Sequence, residues 1–134
     1  MATAVVYYSG TGNTEKMANA IAEAISTAEL ISAENFTADM VANYDGFIFG
    51  CPASGAEELE EGTFAPMWES VKDSLSNKKV ALFGSYGWGG GEFMETWKED
   101  CSNSSIDVIQ FVVCEGEPDD DAIEACKELA ANFS

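Results

Sequence analysis

The chain has 134 residues, 46% of them hydrophobic, enough for one domain with a single core that needs no disulfide or metal. Its 24 acidic residues outnumber 6 basic ones, a formal net charge of −18, so a nucleic-acid backbone or an anionic membrane would be repelled and basic partners attracted. No run approaches the roughly 18 apolar residues that span a bilayer, and the opening Met1-Ala2-Thr3-Ala4-Val5-Val6 lacks the basic region of an export signal, so a cytoplasmic, unprocessed chain is expected.

Ala4-Val5-Val6-Tyr7-Tyr8 is a continuous apolar run closed by Ser9-Gly10, the pattern of a strand buried on both faces. Met17, Ile21 and Ile25, with Ala18 and Ala22, recur every three or four positions and predict a helix with one core-facing stripe. Leu30-Ile31 suggests a short second strand, and Ala38 to Ala42 a short helix capped by Thr37. Gly46 to Cys51 reads as a third buried strand, ended by Pro52, which cannot donate to a central ladder, so a loop should begin there.

Phe64, Met67, Trp68, Val71 and Leu75 mark a second long helical stripe, with Pro66 tolerated in its first turn. Val80 to Gly84 is the fourth strand, Phe93, Met94, Trp97 and Cys101 the next helix, and Ile106 to Val113 the fifth strand. Pro118, Asp119 and Asp120 open a last helix whose inward face is Ala122, Cys126, Leu129 or Ala130, and Phe133. Alternating apolar strands and amphipathic helices predict an α/β fold, a doubly wound three-layer sandwich around a five-stranded parallel sheet. With no repeat or linker, residues 1–134 are expected to form a single domain.

Ligands of such sheets bind beyond the carboxyl ends of the strands, where strand order reverses. The first of these ends, Ser9-Gly10-Thr11-Gly12-Asn13-Thr14, sets hydroxyls, an amide and two glycines before a helix start, which suits an anion. A Walker loop would need Gly-Lys-Ser/Thr, absent here, and the dinucleotide fingerprint fails at its third glycine, where Glu15 stands. A single terminal phosphate fits better, although a turn of this kind can also be no more than a helix cap. After the fourth strand, Ser85-Tyr86-Gly87-Trp88-Gly89 puts a large aromatic among glycines, a platform for a planar ring unless Trp88 only caps the sheet edge. Cys51, Cys101, Cys114 and Cys126 form no CxxC pair and there is no histidine, so neither zinc nor a dithiol centre is expected, and the thiols read as reduced and buried.

Three segments, Val6 to Thr14, Gly50-Cys51-Pro52-Ala53-Ser54-Gly55 and Val80 to Gly89, together resemble flavodoxins of the short-chain, clostridial type, and the likeness runs over nearly the whole chain. The resemblance implies a flavodoxin-like sheet of order 2-1-3-4-5 and a non-covalently bound FMN. The phosphate would lie on Ser9, Gly10, Thr11, Gly12, Asn13 and Thr14; Pro52, Ala53, Ser54, Gly55 and Glu57 after the third strand and Ser85, Tyr86, Gly87, Trp88 and Gly89 after the fourth would complete the cofactor site, with Gly87 and Trp88 offering backbone amides to the pyrimidine edge. Trp88 would stack on the outer flavin face, the Gly55 carbonyl would turn toward flavin N5, and Glu57 would hold N3. Close relatives often carry methionine at the position of Ser54 and serine at that of Pro52, so the inner face and one phosphate contact depart from their pattern. The function implied is a low-potential, one-electron carrier working between the semiquinone and hydroquinone of FMN. It would be a monomer that is not itself an enzyme and has no catalytic residue.

Glu57, Glu58, Glu60 and Glu61 would make the second reduction harder by repulsion and would steer basic redox partners, unless the acidity serves solubility alone. An FMN-dependent NAD(P)H quinone or flavin reductase is the enzyme alternative, opposed by the short chain and its few basic residues. A phospho-acceptor receiver would need aspartates where Tyr8-Ser9 and Cys51-Pro52 stand, and a cysteine phosphatase an arginine loop after Cys51.

Overall fold

The structure is a computed structural model; it describes residues 2–8, 12–54, 58–59, 62–76, 78–86 and 92–133, with backbone alone at 53, 54, 58, 59 and 92. Seven strands occur among them: β1 (Ala2–Tyr7), β2 (Ala28–Ser32), β3 (Tyr44–Gly50), β4 (Ala53–Ser54), β5 (Glu58–Leu59), β6 (Lys79–Tyr86) and β7 (Asp107–Glu115). The α-helices are α1 (Asn13–Glu23), α2 (Phe64–Val71), α3 (Glu92–Asn103) and α4 (Asp120–Ala131). Five strands form one parallel sheet in the order β2-β1-β3-β6-β7, which is 2-1-3-4-5 when only its own strands are counted, as expected.

The continuous apolar strands are explained by what covers the two faces. On one, Phe47, Phe49 and Val6 meet Trp68 of α2 and Phe93 and Trp97 of α3. On the other, Val5, Ile48 and Phe83 meet Met17 and Ile21 of α1 and Cys126 and Leu129 of α4. Alternate residues of the inner strands β1, β3 and β6 therefore enter opposite cores, which is why they read as continuous apolar runs, whereas the edge strands β2 and β7 carry exposed positions. Close approach also selects glycine: a Cβ on Gly84 would stand 2.3 Å from the Cys51 carbonyl oxygen, and one on Gly50 2.1 Å from the Phe83 ring.

Elsewhere the elements differ from their sequence pattern. The helix expected over Ala38 to Ala42 is a 3-10 helix, Ala38–Asn43, and the long stripe ending at Leu75 splits into α2 and a 3-10 turn, Lys72–Leu75. Ile25 is buried though it lies past the end of α1. After Pro52 the chain does not simply loop: β4 and β5 pair antiparallel, Ala53 with Leu59 and Ser54 with Glu58. The fifth sheet strand carries one irregularity, because Val80 faces Val108 while Ala81 faces Gln110, which leaves Ile109 as an extra residue. At its start α4 is capped as the sequence implied, the Asp119 carboxylate accepting from the Ala122 amide at 2.9 Å. Among the described residues no helix is long and apolar enough to cross a membrane.

Candidate functional site

Strand order reverses between β1 and β3, and the segments beyond them are tied across the sheet. The Tyr8 amide donates to the Gly50 carbonyl at 3.0 Å, and the Cys51 amide to the Phe83 carbonyl at 3.2 Å. On the far side of β6, the Gly116 amide donates to the Tyr86 carbonyl at 2.8 Å. The carboxyl ends of β1, β3, β6 and β7 are thus one hydrogen-bonded floor.

Gly12 caps α1 in the left-handed region, φ 94° and ψ −11°, so no capping oxygen comes from a side chain. A Cβ built there meets nothing within 4 Å. The first turn of α1 thus begins without a side-chain cap, and the positive end of its dipole lies at the carboxyl edge of the sheet. Thr14, in the first turn, is buried, and its hydroxyl lies 3.1 Å from that of Ser85 at the end of β6. This contact joins segments 71 positions apart and has no signature in the local sequence.

Lys16, one turn into α1, pairs with Glu117 in the link between β7 and α4, whose carboxyl falls below its usual value because of that hydrogen bond and charge. The lysine nearest the anion-binding turn is thereby already neutralised by a carboxylate. Tyr7 donates to Glu15 at 3.4 Å; burial first, then the Glu15 charge, raises its hydroxyl above the ordinary value. With Tyr8, Ser32, Glu34 and Thr63 these two residues line a pocket of about 230 Å³ on the β2 side.

Of the residues expected to hold a cofactor, Gly12 caps α1, Asn13 and Thr14 open it, and Thr14 meets Ser85 near the end of β6, with Tyr86 half-buried one residue on. Pro52 follows the buried Cys51, and Ala53 and Ser54 form β4. Ser9, Gly10, Thr11, Gly55, Glu57, Gly87, Trp88 and Gly89 lie outside the described residues, as do Glu60 and Glu61. Of the thiols, Cys51, Cys101 and Cys126 are buried as expected, whereas Cys114 is half-buried. Burial pushes Cys101 and Cys126 up to about 12. Among the described residues no group of histidine, cysteine and carboxylate side chains could hold a metal ion.

A doubly wound parallel sheet with a helix start at its reversal point is the arrangement in which such folds take up a ligand beyond the carboxyl ends of their strands. The family model described as flavodoxin matches residues 5–129. Flavodoxin from Megasphaera elsdenii is 43% identical over 129 residues, covering 93% of each chain. Flavodoxin from Clostridium beijerinckii is 42% identical over 134 residues, 94% of this chain and 97% of that one. The solution structure of two-electron reduced Megasphaera elsdenii flavodoxin superposes with a TM-score of 0.88 at 40% identity, covering 97% of this chain and 98% of that one. The chain belongs to the flavodoxin family. Its cofactor is FMN, and its class is electron-transfer protein rather than enzyme. Among the described residues, the left-handed Gly12 and the buried Thr14 at the start of α1 are compatible with a phosphate held there.

Proposed function

We propose that this flavodoxin carries electrons one at a time at low potential, working between the semiquinone and hydroquinone of its FMN. The observation that carries the reading is the start of α1: a left-handed glycine with no side-chain cap, followed by a buried Thr14, at the reversal point of the sheet. FMN, when bound, supplies the ring that accepts and releases electrons. The chain supplies the grip and the charge environment.

Ser9 to Thr14 hold the phosphate through amides and hydroxyls with no cationic side chain among them. Pro52, Ala53, Ser54, Gly55 and Glu57 beyond β3, and Ser85, Tyr86, Gly87, Trp88 and Gly89 at and beyond the end of β6, complete the cofactor site, with Trp88 against the ring. β4 and β5 pair antiparallel on either side of Gly55 in the sequence, and a glycine suits a carbonyl that must turn, because it changes conformation at little cost. Lys16 answers to Glu117, so it leaves the phosphate charge uncompensated. Each carboxylate about 8 Å away in water opposes added negative charge by roughly 0.5 kcal/mol, or about 20 mV for one electron. Glu57, Glu58, Glu60 and Glu61 together lower the potential of the second step.

The same carboxylates favour redox partners with basic docking surfaces, and the net charge of −18 favours a monomer through self-repulsion. Redox titration of the FMN-loaded protein tests the reading. A semiquinone absorption band at intermediate potential is expected; reduction by two electrons with no such band would refute it. Electron transfer to a basic partner should slow as salt rises, and salt-independent rates would remove the docking argument.

A further inference from the structure

Thr14 Oγ1 and Ser85 Oγ stand 3.1 Å apart, with Thr14 1% and Ser85 5% exposed. Either oxygen can be the donor. A hydroxyl has one proton to give and two lone pairs to offer, so whichever residue donates across this contact has no proton left for any other acceptor. Water cannot readily supply a replacement, because both groups are shut away from solvent.

Thr14 is the second residue of α1, and Ser85 the last but one of β6. If Thr14 gave its proton to Ser85, it would have none left to donate to an anion bound at the helix start and could offer such an anion only lone pairs. If Ser85 gives instead, Thr14 keeps its proton for the anion, and the polarised pair donates more strongly than a lone hydroxyl.

We propose that Ser85 is a positioning residue that sets how strongly the chain prefers FMN to its dephosphorylated form, riboflavin, by donating to Thr14 and so freeing the Thr14 proton for the phosphate. The inference rests on the reading of the α1 start as the phosphate site. Ser85 therefore acts on the end of the cofactor opposite the ring, although it stands in the strand end that leads to the ring-binding segment.

The test is the ratio of FMN to riboflavin affinity, measured by fluorescence titration of the apoprotein for the wild type, Ser85→Ala, Ser85→Cys, Thr14→Val and the double variant Thr14→Val with Ser85→Ala. One hydrogen bond to a group that serves an anion is worth a roughly threefold to tenfold change in affinity, so Ser85→Ala should lower the ratio by that factor. Ser85→Cys keeps the volume and a weak donor, and should fall between the alanine variant and the wild type. In the Thr14→Val background Ser85→Ala should leave the ratio where Thr14→Val alone puts it.

A Ser85→Ala ratio within twofold of wild type would overturn the proposal, as would a further fall in the double variant. If Thr14→Val itself left the ratio unchanged while Ser85→Ala lowered it, the phosphate reading of Thr14 would be wrong, and the relay with it. Urea midpoints of the apoproteins identify any variant that fails to fold, and Ser85→Cys, the smallest change in shape, then carries the comparison.

Discussion

The indoles of Trp68 and Trp97 meet edge to face, centroids 5.7 Å apart at 90°, yet only Trp68 uses its N–H: Nε1 donates to Asp100 Oδ2 at 2.8 Å, whereas Nε1 of the buried Trp97 has no acceptor among the described residues. Asp100 is also held by Lys72 at 3.2 Å, so the Trp68 bond belongs to a charged network that links α2 to α3.

Replacing each tryptophan by phenylalanine separates ring burial from hydrogen bonding. Both changes lose area and part of an aromatic contact. Trp68→Phe also loses a bond to a carboxylate that is 36% exposed and so partly screened, which puts the expected difference at about 1 kcal/mol. Urea denaturation should rank Trp68→Phe as the more destabilised; the reverse order would mean that the Trp97 N–H has found a partner.

Stability should fall as pH rises from about 9 to about 12. The Tyr44 hydroxyl donates to Glu29, and that bond, then burial, then the Glu29 charge, push it up to about 12. Burial, then the Asp100 charge, does the same for Cys101, and burial, then Cys114, for Cys126. Each group keeps its proton in the folded state after the unfolded chain has released it. The stability they contribute is complete below the unfolded values, near 9 for cysteine and 10 for tyrosine, and is lost as the folded values are passed. Urea midpoints taken from pH 8 to 11.5 should trace this decline, and Cys126→Ala should flatten it.

Two left-handed residues invite opposite substitutions. Ser105, at φ 62° beyond the end of α3, carries the strain of a side chain where the Ile106 amide turns back to the Cys101 carbonyl at 2.9 Å. Ser105→Gly should raise stability by roughly 0.5 kcal/mol, the relief of strain being partly offset by added unfolded-state entropy. Gly12→Ala should cost about 1 kcal/mol through backbone strain alone, since its Cβ meets no neighbour, and should weaken FMN binding as well. Thermal midpoints with and without FMN distinguish the two effects.

Removing the cofactor should lower the thermal midpoint by an amount set by mass action. FMN at a hundred times its Kd adds about 2.7 kcal/mol to the folded state, so the midpoint of the apoprotein should climb steadily as FMN is titrated in. An unchanged midpoint would mean that the folded chain does not bind FMN under those conditions.

The sheet was legible in the sequence because its strands are buried on both faces: apolar runs such as Ala4 to Tyr7 and Phe47 to Phe49 can be little else once glycine and proline close them. The cap at Asp119 was equally plain. Segments stabilised by few contacts were harder, and Ala38 to Asn43 shows why: with only Val41 fully buried, the short stripe does not demand an α-helical pitch over a 3-10 one. The turn before α1 could be read as an anion site from Gly12 and Thr14, whereas the hydrogen bond between Thr14 and Ser85 and the pairing of Lys16 with Glu117 depend on which strand lies beside which. No local pattern encodes that.

The extra residue at Ile109 has a consequence for how the molecule behaves in company. β7 is one of the two edge strands, and Ile109 and Phe111 are each 39% exposed on it, which in a flat, regular strand would offer a ready seam for another polypeptide. The irregularity breaks the spacing of its outward amides and carbonyls, and Lys98 sits 4.0 Å above the Phe111 ring, bringing a cation to the greasiest point of the rim. The margin that looks most adhesive is thus built to resist strand-by-strand accretion at high concentration.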